Sequence, residues 1–196
     1  MPPAIPALDR ATDVTPGRRE TLILGAAGLA AAAAGFLVGP LLLRSKGESN
    51  EPAGNILRAV SLADLAGKRR HMSEWQGRVL LCNFWATWCA PCREEIPLLM
   101  SAREKYAPNG VEIIGIAIDN AAKVREFSES LGIHYPVLLA EADGLDLMRK
   151  LGNSTGGLPY TVVADRQGRV VYRKLGSLKQ GEVDEILRPL AQNQAS

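Results

Sequence analysis

Trp85-Ala-Thr-Trp-Cys-Ala-Pro-Cys-Arg-Glu-Glu-Ile-Pro97 joins an apolar run on one side to a helical pattern on the other. The run before it, Val79 to Trp85 (VLLCNFW), is almost continuously apolar, as in a central strand covered on both faces. Pro91 suits a helix start, because its missing N–H has no intrahelical partner there in any case. Cys89 and Cys92 thus stand three apart at the head of a helix. Residues at i and i+3 share a helix face with Cβ atoms about 5–6 Å apart, and modest local adjustment brings them within the Cα separation of a disulfide. Unpaired backbone N–H groups and the positive end of the helix dipole favour a thiolate at Cys89 and lower its pKa. The pattern predicts thiol–disulfide exchange, with Cys89 attacking and Cys92, one turn deeper, resolving.

A structural zinc site would need two further ligands. The chain offers only Cys82, His71 and His134, with no second pair, so neither a metal nor another cofactor is expected. A purely structural disulfide would close too small a loop to stabilise the fold much. Cys82 sits mid-strand among Leu80, Leu81 and Phe84, where a cysteine acts as a small, inert hydrophobe. His71 and His134 read as surface or satisfied residues.

With 196 residues the chain has room for one ordinary domain and an appendage. A formal net charge of +2 gives no sign of a nucleic-acid partner. Three cysteines are too few for a disulfide-stapled scaffold.

Residues 1–20 are rich in Pro, Asp, Thr and Arg and read as a disordered tail. Thr21 to Leu43 is a run of 23 residues without a charge, enough to cross a hydrocarbon core of about 30 Å. Gly17-Arg18-Arg19 before it resembles a twin-arginine export signal, although Glu20-Thr21-Leu22 fit that motif poorly. The run is longer than the core of a typical signal, which favours an uncleaved anchor over a signal peptide. Flanking charges do not decide its orientation. A dithiol protein needs a tether when its work is on exported proteins, and this places the catalytic domain on the periplasmic face of the inner membrane, single-pass. Residues 44–55 read as a flexible linker and 56–193 as the folded domain.

Within that domain, Ile56 to Leu62 and Arg69 to Met72 bracket Ala66-Gly67 as a hairpin-like start, followed by a helical turn at Ser73 to Gly77. Strands are predicted at 79–85, 111–118 and 136–139, and helices at 91–106, 121–131 and 144–151. Strands at 160–164 and 169–175 form an antiparallel hairpin around Asp165-Arg-Gln-Gly168, and 179–192 is a closing helix. The fold class is α/β, with parallel strands covered by helices and an antiparallel edge.

The strand-to-helix junction LLCNFWATWCAPC, the βαβ–ββα order and Gly156-Gly-Leu-Pro-Tyr160 before the last hairpin together resemble the thioredoxin superfamily. The similarity is greater to its membrane-tethered branch of TlpA and ResA-like thiol-disulfide oxidoreductases, and it covers about Ala59 to Leu190. The resemblance implies a thioredoxin-like fold after one N-terminal transmembrane helix. It implies a cis peptide at Leu158-Pro159 facing the cysteines, with the Leu158 backbone free to pair with an extended client. Trp88 and Pro91 then join Leu158 and Pro159 in the client-docking surface. It further implies a reductant for exported proteins such as apocytochromes or copper-site proteins, recharged by an integral-membrane thiol transporter. A peroxiredoxin-like peroxidase and a tethered binding protein with a vestigial motif are the alternatives.

The chain departs from the superfamily in two places. Asn83 stands where cytosolic thioredoxins carry a buried Asp, and it cannot shuttle a proton. Tyr160 follows the proline where the cytochrome-maturation branch has Glu. On the helix, Cys92, Glu95, Ile96, Leu99, Ala102 and Tyr106 form one stripe, so Glu95 faces the core within a turn of Cys92 while Glu94 faces solvent. ResA-like proteins also have a Glu there. Glu95 is the expected proton carrier, its pKa raised by burial.

Overall fold

The computed structural model describes residues 53–192; the expected tail, the apolar segment 21–43 and the linker up to residue 52 lie outside the described residues. The chain begins with helix α1 (Ala53–Ala59), then strands β1 (Ser61–Asp64) and β2 (Arg69–His71) and a 3₁₀ turn (Met72–Trp75). Strand β3 (Val79–Trp85), helix α2 (Ala90–Tyr106), strand β4 (Val111–Ala117), helix α3 (Ala121–Leu131), strand β5 (Val137–Leu139) and helix α4 (Asp143–Lys150) follow. Strands β6 (Tyr160–Ala164) and β7 (Val170–Leu175) and helix α5 (Gln180–Gln192) close the domain.

One expectation is corrected at the start. Residues 56–59 are helical rather than the first arm of a hairpin, and residues 53–55, assigned above to the linker, form the first turn of the same helix. Ala53, Ile56, Leu57 and Val60 have the spacing of one helix face, and all four pack into a single core cluster. Burying that face outweighs the β preference of an isolated Ile. The hairpin itself survives in shorter form, with Ser61 paired to His71 and Gly67 in the left-handed region at the turn.

The strands form one mixed sheet in the order β2-β1-β5-β4-β3-β6-β7. Strand β3 lies between parallel β4 and antiparallel β6, and all seven of its residues are buried. Its alternation sends Val79, Leu81 and Trp85 into one core layer with Ile96 and Leu99 of α2, Val124 of α3 and Leu187 of α5. Leu80, Cys82 and Phe84 point into the opposite layer, with Leu57 of α1 and Met148 of α4. The strand therefore delivers its C-terminal end, and the motif that follows, to an edge of a sheet covered by helices on both sides.

Candidate active site

Cys89 caps the N-terminus of α2 in extended backbone, and its Sγ accepts a hydrogen bond from the Cys92 N–H at 3.3 Å. Pro91 lies in the first helical turn, exposed. Cys89 and Cys92 are joined as a disulfide with their Cα atoms 5.3 Å apart. The pair is asymmetric: Cys89 retains 6% exposure and Cys92 none, so an incoming sulfur has access to the first and not to the second. In the oxidised form Cys89 is thus less open than an exposed nucleophile.

The buried stripe of α2 comprises Cys92, Glu95, Ile96, Leu99, Ala102 and Tyr106, while Glu94 is exposed. Glu95, only 3% exposed, is one turn beyond Cys92 and faces the sheet. Asn83 of β3 donates its side-chain amide to Glu95 Oε1 at 2.8 Å, and the Leu178 N–H donates to Oε2 at 2.8 Å. The same Asn83 amide donates to Thr161 Oγ1 of β6 at 3.1 Å. Burial pushes the Glu95 carboxyl above its ordinary pKa; the Leu178 and Asn83 donors and the Lys174 charge pull the other way without cancelling that effect.

The loop before Cys89 is fixed from β4's end. The Thr87 hydroxyl and its N–H, the latter at 3.2 Å, both donate to Asp119 Oδ2. Burial raises the Asp119 carboxyl, but the Thr87 and Asn120 donors outweigh it and hold the group below its usual pKa. Trp88, between Thr87 and Cys89, projects outward with 67% exposure. Across the site Leu158-Pro159 is cis, Pro159 is buried, and its carbonyl accepts from the Gly176 N–H at 2.8 Å. Leu158 packs against the cluster that contains both sulfurs. Ser177 Oγ donates to the Pro91 carbonyl at 3.4 Å, so the segment 176–178 touches the proline loop, the helix start and Glu95 together.

Cys82 is wholly buried in the opposite core layer, and desolvation pushes its thiol up to about 12. His71 and His134 are exposed, the latter 3.3 Å from Glu104. Among the described residues no group of three or more His, Cys, Asp or Glu side chains is placed to hold a metal ion.

The sequence profile of the Redoxin family matches residues 52–188. This chain belongs to the Redoxin family. Among its Redoxin relatives, a thiol-disulfide oxidoreductase ResA of Bacillus thuringiensis is 30% identical over 130 residues, 66% of this chain and 73% of the relative. The ResA of Bacillus subtilis is 28% identical over 137 residues, 69% of this chain and 74% of the relative. A thiol:disulfide interchange protein of the thioredoxin family from Chlorobium tepidum superposes with a TM-score of 0.62 at 28% identity, covering 67% of this chain and 92% of that one. The Redoxin domain described here has the thioredoxin-like α/β fold, a mixed sheet with flanking helices.

The Redoxin site contains residues that sequence reasoning did not single out: Thr161, Leu178 and Asp119. Thr87 within the motif was a visible signal for a clasp, because a hydroxyl in a tight loop seeks an acceptor. Nothing local pointed to Asp119, 32 residues away, as that acceptor.

Proposed function

We propose that this chain is a membrane-tethered thiol–disulfide oxidoreductase that reduces disulfides of exported proteins through Cys89 and Cys92. The observation that carries the reading is the disulfide itself: a sulfur at a helix cap on a residue that keeps 6% exposure, joined to a fully buried one, above a buried carboxyl of raised pKa. The Cys89 thiolate attacks one sulfur of a client disulfide, and the other client sulfur leaves as a thiolate that takes up a proton. Glu95, as carboxylate, accepts the Cys92 proton, directly or through a water. The Cys92 thiolate then attacks Cys89 Sγ, the second client sulfur departs and is protonated, and the internal disulfide re-forms. Two electrons pass from the dithiol to the client; of the two protons the client takes up, one balances the proton released by Cys92 to Glu95 and the other comes from solvent, because Cys89 reacts as the thiolate.

The Leu158 backbone pairs with the client as an added strand, and Trp88 and Pro91 complete the docking surface. The uncharged run Thr21 to Leu43 holds the domain to the inner membrane on its periplasmic side, where an integral-membrane thiol transporter supplies the electrons. Apocytochromes and copper-site proteins are the clients that chemistry of this kind serves. A binding protein with a vestigial motif would leave Cys92 and Glu95 without a role.

The test is twofold. The reduction potential of the pair should lie below that of the glutathione couple, and Cys92→Ser should accumulate mixed disulfides with clients while Cys89→Ser does not. A potential well above glutathione would reverse the direction of transfer. Equal trapping by the two variants would remove the ordered mechanism.

A further inference from the structure

Besides the two donors that hold Glu95, the same face of the sheet carries three buried polar atoms with no hydrogen-bond partner among the described residues: Asn83 Oδ1, Trp85 Nε1 and the Tyr135 hydroxyl. The register shows why they lie together. Gly115 of β4 is the strand partner of Asn83, and the Gly115 N–H donates to the Pro136 carbonyl at 2.9 Å, which seats Tyr135 beside that position. Gly115 has no side chain, and the point its Cβ would occupy lies 2.9 Å from Trp85 Nε1 and 3.0 Å from Tyr135 Cε2. The indole N–H and the phenol ring thus meet over the residue next to Asn83, and Asn83 holds Glu95. Tyr135 is 4% exposed and belongs to the core cluster of Cys92 and Ile96. Burial, and then the negative charge of Glu95, hold its hydroxyl above the usual phenol pKa, which places the two groups within each other's field.

A phenylalanine would fill the same apolar space. A buried hydroxyl without a partner costs stability, so its presence here calls for a role. We propose that Tyr135 is a positioning residue for Glu95: its hydroxyl, beside Gly115, donates through one bridging water toward the carboxylate when Glu95 has released its proton. The donor stabilises the ionised form and sets the pH at which the proton leaves. This inference rests on the reading of Glu95 as the proton carrier.

The other groups that face Glu95 do not duplicate this function. Asn83 of β3 is already shared with Thr161 of β6, and the Leu178 N–H is fixed backbone. Lys174 of β7 and Glu182 of α5 are ion-paired with each other, so their fields at Glu95 oppose. Cys92 on its own helix is the proton's source. Of the two unpartnered donors over Gly115, the Trp85 indole N–H is fixed by its ring, whereas the Tyr135 hydroxyl can turn its hydrogen toward a bridging water.

The test uses the reduced full-length protein with Tyr135→Phe, reading the Glu95 carboxyl by 13C NMR titration, with Glu95→Gln as the assignment control. The Glu95 inflection should rise by about one pH unit. The pH profile of thiol alkylation should move with it; the melting temperature should hold or rise below the Glu95 inflection and fall above it, where the carboxylate has lost its donor. In the Glu95→Gln background, Tyr135→Phe should leave the alkylation profile unchanged. Should Tyr135→Phe fail to fold, 3-fluorotyrosine at position 135, a more acidic donor of nearly the same shape, should move the inflection down. An unmoved Glu95 inflection in the folded variant overturns the proposal. If the inflection moves while thiol reactivity follows neither Tyr135→Phe nor Glu95→Gln, Tyr135 keeps its role and the acid–base reading of Glu95 falls.

Discussion

One neutral side chain at the middle of the sheet, Asn83, donates to Glu95 at 2.8 Å from within β3, so the acid on α2 is tied to the central strand. Both N–H bonds of that amide are engaged, the second by Thr161. An amide in this place can stabilise the carboxylate without competing for its proton.

Replacing Asn83 by Asp puts a second carboxyl against the first. Two acids in contact inside the core cannot both ionise cheaply, so the pair should share a proton and titrate in two separated steps. The alkylation profile of the reduced protein should then shift to higher pH and broaden. An unaltered profile in folded Asn83→Asp would show that the two groups are screened from each other.

Glu95→Gln should slow client reduction at neutral pH by roughly tenfold or more, within what proton transfer supplies, while the fold persists. Stability carries an independent sign. Because the folded pKa of Glu95 is raised, the native state binds more protons than the unfolded chain between the unfolded value of about 4.3 and the folded one. Stability from this group therefore falls as pH rises through that window and levels off above it. Melting temperatures from pH 4 upward should show that fall in the wild type and lack it in Glu95→Gln; parallel curves would place the carboxyl in water.

Thr87→Val removes the hydroxyl half of the clasp on Asp119 and should cost about 1 kcal/mol, read by denaturant titration. Asp119 is held below its ordinary pKa, so its contribution is present above the unfolded value and is lost as pH falls through the folded one. The wild-type advantage over Thr87→Val should accordingly shrink below about pH 4. An advantage that grows on acidification would contradict the clasp.

Timed alkylation of the reduced protein should modify Cys89 first and Cys92 far more slowly. Cys82, fully buried with its thiol pushed up to about 12, should react only when the chain is unfolded. Cys82→Ala should exchange disulfides at the wild-type rate. Native-state labelling of Cys82 ahead of Cys92 would reverse this ordering.

What could be read in advance was whatever depends on short spacing. The α2 stripe deduced from i, i+3, i+4 periodicity is the buried set found, because a helix fixes its own faces without help from the rest of the chain. The same rule, applied to Ala53, Ile56, Leu57 and Val60, would have found α1; a single β-branched residue beside a turn obscured it. The environment of Glu95 was not readable. Thr161 lies 78 residues from Asn83, and Leu178 lies 83 from Glu95, so their meeting follows from sheet order and the packing of the last loop rather than from local pattern. Tyr135 was invisible for a related reason: its place depends on Gly115 being the strand partner of Asn83.

Three thiols in one small protein allow three different internal disulfides, and a protein that handles mixed disulfides all its life risks forming the wrong one. Here the hydrogen-bonded sheet is the partition. Cys82 precedes Asn83 by one residue, yet strand alternation sends its sulfur into the layer away from Cys89 and Cys92. No rotamer change brings it round; only breaking β3 out of both its ladders would. The molecule is thereby confined to a single internal disulfide, Cys89–Cys92, formed or open, for as long as it stays folded.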